Sequence, residues 1–300
     1  MASKLRSWLQ SSVTIAILWS PELFASEPTP SAPTAAEDTD YRRAHHLYTL
    51  QEYKLATEAF TKYLANFPKA ERAEPARLLL SESFYQLKNL PQAAEQFDKF
   101  LAEYPSSPRR ADALQRAVKV HWQNRTLARA VEAGEAFVKE NQARLGKPEA
   151  PPALARQFED VLFYAGDSSY GLKKLDAARE YWERLQKDFP KSALLPDAAE
   201  GLGWVAFDAG KFDEALKYFS ITAATPEHPK AAASQLMAGR SLDGLGKLEE
   251  ALAALDKTAA LPNGKAITPP MGFRNWNQWQ SNIDQGMIKC GGQRIWLNHY

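Results

Sequence analysis

The sequence has 300 residues, 45% hydrophobic and 24% charged, with 37 Lys and Arg against 36 Asp and Glu for a formal charge of +1. A chain of this length can bury a sizeable core, and its near-neutral balance excludes a field that gathers phosphate backbones, so nucleic acid is not an expected partner. The single cysteine, Cys290, excludes an internal disulfide and a thiolate metal cluster.

In chain order, Lys4 and Arg6 precede the apolar run Val13 to Trp19, and Leu23-Phe24-Ala25 follow as a candidate cleavage site. Residues 1–25 thus have the form of a signal peptide, which predicts a secreted or periplasmic protein. The run is too short to cross a bilayer, so no permanent membrane span is expected. No cysteine follows it, which leaves no site for lipid attachment of the bacterial lipoprotein kind. Residues 26–40, rich in Pro, Ser, Thr and Ala without apolar periodicity, read as a disordered linker.

A phrase then recurs: EYKLATEAFTKYLANFP, NLPQAAEQFDKFLAEYP, TLARAVEAGEAFVKE, KLDAAREYWERLQKDFP, KFDEALKYFS and KLEEALAALDKTAALP. Its anchors are Ala56, Ala93, Ala130, Ala178, Ala215 and Ala251, mostly 37 residues apart, with a gap of 48 after Ala130. Phe60, Phe97, Trp182 and Phe219 stand four residues after their alanines, on the same helical face. Pro68, Pro105, Pro190 and Pro262 follow the second helix, which proline cannot continue. These units resemble tetratricopeptide repeats over about residues 38–262, with Gly203 and Gly239 at the small position of the first helix. The fold class predicted is all-α, a superhelical solenoid of about six helix-turn-helix repeats with an irregular C-terminal tail. Repeats 1–3 take residues 41–142, a loop or bend 143–158, and repeats 4–6 residues 159–262.

One such helix pair cannot bury its apolar face alone, so pairs stack and leave a groove lined by the first helices. One first-helix position reads Tyr48, Tyr85, Trp122, Tyr170 and Phe207, with Asp243 breaking the series; another reads His45, Glu82, Lys119, Asp167, Trp204 and Arg240. An aromatic row beside a mixed polar row suits an extended peptide. Packing between repeats is the competing use of those rings, and both remain open. The candidate partner-binding residues are Tyr48, Tyr85, Trp122, Tyr170, Trp204, Phe207, His45, Lys119 and Arg240, and the expected partner is a protein or peptide.

Other motifs fall away. His45 and His46 are adjacent and point about 100° apart on a helix, so no metal site is expected from them. GDSSYGLK, residues 166–173, lacks the Gly-Lys-Ser/Thr ending of a phosphate loop and falls within a repeat. No nucleophile elbow or catalytic cysteine is evident, and no cofactor is expected.

The tail introduces a second theme. Asn263-Gly264, Thr268-Pro269-Pro270-Met271-Gly272, Phe273, Trp276, Trp279, Asn282-Ile283-Asp284 and Met287-Ile288 resemble the start of the catalytic domain of glycoside hydrolase family 27, the α-galactosidases and their relatives. The resemblance implies the first strand of a (β/α)₈ barrel, with Phe273 in place of a sugar-stacking tryptophan. Ser281 stands where many members carry cysteine, and from Cys290 onward the likeness stops. A barrel needs at least about 200 residues, and a retaining glycosidase needs two carboxyl groups about 5 Å apart. From Asn263 to Tyr300 the only acidic residue is Asp284. Residues 263–300 are therefore expected to be a truncated, poorly ordered glycosidase-like segment, catalytically inert, with a galactoside as ligand only in a completed barrel. The primary expectation is an exported repeat scaffold; the alternative is the N-terminal portion of an α-galactosidase-like hydrolase, inactive as this chain.

Overall fold

The computed structural model describes residues 34–260 together with 288–290 and 293–295. Twelve α-helices follow one another: α1 (Ala35–Thr49), α2 (Tyr53–Asn66), α3 (Ala73–Gln86), α4 (Leu90–Glu103), α5 (Arg110–Gln123), α6 (Leu127–Asn141), α7 (Leu154–Gly171), α8 (Leu175–Asp188), α9 (Leu195–Asp208), α10 (Phe212–Ala223), α11 (Ala231–Gly244) and α12 (Leu248–Ala260). Each helix packs on the next, giving six stacked hairpins in which odd-numbered helices are first (A) and even-numbered ones second (B). The all-α solenoid expected from the sequence is what forms. In the second repeat, 14-residue helices, a three-residue turn and a six-residue connection account for the 37-residue period.

All six A-to-B turns close in the same way. Their middle residue is left-handed: Gln51, Lys88, Arg125 and Lys173 at φ 60 to 62°, then Gly210 and Gly246 at 71 and 74°. In the second repeat the Lys88 N–H donates to the Tyr85 carbonyl (2.9 Å) and the Asn89 N–H to the Phe84 carbonyl (3.0 Å). This paired closure satisfies carbonyls that the end of helix A leaves open.

The core follows the B-helix phrase. Ala56, Ala93, Ala178 and Ala215 are fully buried, and Phe60, Phe97, Trp182 and Phe219 are at most 1% exposed. Trp182 is held between two glycines: a Cβ at Gly166 would lie 2.6 Å from its Nε1, and one at Gly201 2.5 Å from its Cη2. In the third repeat the corresponding ring position is Gly134, where α7 comes so close that a Cβ would lie 2.9 Å from the Ala165 Cβ.

Three boundaries are corrected. Residues 35–40, assigned to the linker, belong to α1, because Thr34 caps the helix by accepting the Glu37 N–H (3.1 Å), with Glu37 and Asp38 in the first turn. The bend expected at 143–158 is shorter. A 3-10 turn at Gln142–Arg144 leads to a connection that ends at Leu154, since Leu154 and Phe158 pack one turn apart on Phe137 and Leu114. In the tail, Ile288–Cys290 (β1) pairs antiparallel with Gln293–Ile295 (β2) in the register Ile288↔Ile295, so that part is not irregular. The signal-peptide assignment, the rest of the linker and Asn263 to Met287 lie outside the described residues.

Candidate interaction lane on the inner face

Helix A meets the next helix A at α1–α3, α5–α7 and α7–α9, whereas no two B helices approach comparably among the described residues. The A helices therefore form the inside of the curve. Cations at A-helix N-caps link successive repeats there. Arg72 pairs with Asp38 (2.5 Å), Arg109 with Glu74 (3.5 Å), and Lys230 with both Asp197 and Glu200 (2.8 Å each).

The centre of this face is built from α5 and α7. The Trp122 and Tyr164 rings lie 4.7 Å apart, the Lys119 ammonium stands 5.6 Å over the Tyr164 ring, and the Trp122 indole Nε1 donates to Asp167 Oδ2 at 2.5 Å. Alongside, Gln115 donates to Asp160 (2.8 Å), Gln157 to Asp112, and the Tyr170 hydroxyl to Asp208 (3.2 Å). These four carboxylates are thus held by uncharged donors, which orient a carboxylate without cancelling its charge. Burial pushes the Asp167 carboxyl above its ordinary range, against the lowering effect of the indole donation.

Toward the C-terminal repeats the lane continues with Trp204, whose Nε1 donates to Glu200 at 3.4 Å, and with Phe207, over which the Arg240 guanidinium sits at 5.8 Å. Burial depresses Arg240, with Asp243 acting in the opposite direction. Lys230 is also desolvated, yet Glu200 and Asp197 together hold its ammonium above the usual lysine range. Burial raises Glu200, with Lys230 opposing it. His228 joins this group at 3.2 Å from Asp197.

The residues expected from the sequence divide between lane and core. Lys119, Trp122, Trp204 and Arg240 are half-buried and share the lane. Tyr85 is 9% exposed in a cluster with Ala93, Phe97, Ala117 and Val120, so its ring is a wall between repeats and not a presented surface. Tyr170 and Phe207 have mixed roles: their rings lie against Trp182 and Phe212 at 6.0 and 5.3 Å, respectively. Tyr48 packs edge-on against Tyr53 (5.7 Å), and exposed His45 lies near the start of the solenoid. Glu82 is bonded by Gln86 and faces Arg116 at 3.6 Å. Phe273 lies outside the described residues.

Sequence reasoning missed Tyr164, Asp160, Asp208 and the Asp197, Glu200 and Lys230 group. Tyr164 precedes Asp167 by three residues, on the same helical face, so helical spacing alone offered a signal for it.

Residues 33–141 match the family model described as YfiO, outer membrane lipoprotein. Residues 164–232 and 200–265 match that of the tetratricopeptide repeat. No curated protein matches. The C-terminal part of a tetratricopeptide repeat-containing protein from Cytophaga hutchinsonii is 16% identical with a TM-score of 0.54, over 73% of this chain and 78% of that one. A tetratricopeptide repeat protein from Parabacteroides merdae is 14% identical with a TM-score of 0.53, over 76% and 80%. The MamA protein is 17% identical with a TM-score of 0.52, over 66% and 99%. Neither family match passes residue 265, and the likeness of the tail to family 27 glycoside hydrolases has no counterpart in these comparisons.

Proposed function

We propose that this chain, whose fold is that of a tetratricopeptide repeat protein, is an envelope-associated scaffold that holds an extended segment of a partner protein along its inner lane. The observation that carries the reading is the run of Lys119, Tyr164, Trp122 and Asp167 across α5 and α7. Flat rings give rigid contact area at low entropic cost, and the oriented carboxylates beside them select among partners by charge. Asp112, Asp160, Asp167 and Asp208 favour a segment that brings Lys or Arg. The match of residues 33–141 to outer membrane lipoproteins supports placement at the envelope, as do Lys4, Arg6 and the apolar run that follows them. No helix among the described residues is long and apolar enough to cross a membrane. Lipid attachment is not part of the proposal, since Cys290 is the sole cysteine.

A photo-crosslinking amino acid at residue 119 and another at Glu95, exposed on α4, test the lane in cells. The expected result is a discrete adduct from residue 119 and none from residue 95. Equal labelling at both positions, or adducts from residue 95 alone, would refute the lane as the docking surface.

A further inference from the structure

The two ends of the solenoid differ. At the start, α1 exposes Arg42, Arg43, His45 and His46, and Leu55 is the only exposed large apolar side chain within the two helices of the first repeat. At the other end no seventh helix pair follows α12 among the described residues. Inner B helices have a side that receives the next A helix. A Cβ at Gly171 of α7 would lie 2.6 Å from Leu127 Cδ1 of α6, and one at Gly244 of α11 2.7 Å from Phe212 Cδ2 of α10. Leu248 of α12 holds the repeat position of Leu127 and Phe212, and Leu252 holds that of Thr57, Ala94 and Val131. Ala94 clusters with Ala117 and Val120 of the next A helix, and all three equivalents are 4 to 7% exposed, whereas Leu248 and Leu252 are each 37% exposed. Leu255, at the position of the buried Phe60, Phe97, Trp182 and Phe219, is only half-buried. Spaced at i, i+4 and i+7, the three leucines form one apolar stripe on the side of α12 where the stack would continue. Soluble repeat arrays end on a polar outer face, and this end departs from that rule.

Beside the stripe, α11 carries Arg240 and Asp243, opposite charges one turn apart. Neither forms a salt bridge among the described residues; Arg240 stands over the Phe207 ring with Asp243 as the nearby carboxylate. An apolar stripe flanked by one charge of each sign is complementary to itself. A two-fold axis that runs a second α11–α12 hairpin against the first buries leucine on leucine and brings each Arg240 to the other copy's Asp243. The polar surface of α1 offers no matching stripe, so a head-to-tail array lacks the complementarity that the tail-to-tail pair has. We propose that the chain pairs with a second copy of itself through α11 and α12. The inference goes beyond the lane and stands whether or not the lane captures a partner. Its consequence is an assembly that carries two lanes, one from each copy.

Sedimentation equilibrium of the full chain over a wide concentration range tests the pairing. A reversible monomer–dimer equilibrium is expected. Leu252→Glu places like charges on the two-fold contact and should raise the dimer Kd at least about tenfold. Arg240→Asp and Asp243→Arg should each weaken pairing about fivefold, and the two together should restore it. That rescue is a result a folding defect does not give, and circular dichroism checks that each variant keeps its helices. A monomer at every concentration would overturn the proposal and leave the stripe to residues of its own chain. A dimer whose Kd is unchanged by Leu252→Glu and by both charge variants would overturn it too, by moving the contact elsewhere. Loss of crosslinking at residue 119 with the dimer intact would refute the lane alone.

Discussion

Trp122 on α5 donates its indole N–H to Asp167 on α7 at 2.5 Å, tying adjacent A helices together at the midpoint of the inner face. The bond satisfies a carboxylate that burial would otherwise leave short of donors, and burial already pushes Asp167 upward. Trp122→Phe keeps a ring against Tyr164 but removes the donor. A buried acceptor left without its partner costs about 1–3 kcal/mol, so that loss is expected in urea denaturation. The Asp167 carboxyl should also titrate at higher pH than in the parent, as followed by carbon-13 NMR.

Gly166 and Gly201 leave the room that Trp182 occupies. The nearest atoms to an added Cβ belong to a large ring that is itself 1% exposed, so the clash has no easy relief. Gly166→Ala is expected to destabilise by about 1–3 kcal/mol through overpacking, despite alanine's better helix propensity. Thermal unfolding checks this. A gain in stability would show that Trp182 shifts freely.

The turns offer the opposite sign. Lys88 and Arg125 adopt left-handed backbone at φ 60 and 62°, where a Cβ is penalised, while the equivalent turns of repeats five and six use glycine. Relief of that strain outweighs the added freedom of the unfolded chain. Lys88→Gly and Arg125→Gly are each expected to stabilise by about 0.5–1 kcal/mol, read from the urea midpoint with an unchanged slope.

Burial pushes Tyr164 and Tyr181 up to about 12 from the ordinary 10, and the carboxylates around Lys230 hold its ammonium above the usual 10.5. All three bind their proton more tightly in the folded state. The contribution of the two tyrosines is therefore complete below pH 10 and lost as pH rises through 10 to 12, whereas that of Lys230 is complete below 10.5 and is lost only as pH rises through its higher folded value. Asp98 behaves oppositely: burial favours its protonation, but donation from His121 and Arg129 holds it below the ordinary value. That contribution is present above 3.8 and lost as pH falls through the folded value. Stability measured from pH 3 to 12 should show a plateau bounded on both sides, with tyrosinate absorbance lagging in the native state.

These cases show what the sequence made legible. The B-helix phrase carried the fold, because Ala56 and Phe60, and their equivalents, are separated by the four residues that put a small side chain and a ring on one buried face. The bend was legible only in part, since Pro151 and Pro152 obscured the apolar pair Leu154 and Phe158. On the inner face the two rows located Lys119 and Trp122 but mixed presented rings with walls. Tyr85 and Trp122 are equivalent in the repeat, and what separates them is the neighbour across the inter-helix gap. For Trp122 that neighbour is Tyr164 with Asp167; for Tyr85 it is the core around Phe97 and Val120. Trp122 with Tyr164 and Tyr85 with Val120 join residues about one repeat apart, beyond local periodicity.

That distinction yields the last prediction. Tyr85→Ala empties a packed site, and truncation of a buried aromatic costs about 3–5 kcal/mol, so partner capture at residue 119 should fall only in step with the folded fraction. Asp160→Asn is its counterpart. Asparagine keeps a carbonyl for Gln115 to donate to, so stability should change by less than about 0.5 kcal/mol, while the lane loses one charge. Affinity for a partner recovered at residue 119 should then weaken about two- to fivefold, in keeping with one exposed charge pair, and its dependence on salt should flatten. Unchanged affinity in Asp160→Asn at low salt would show that shape and rings alone select the partner.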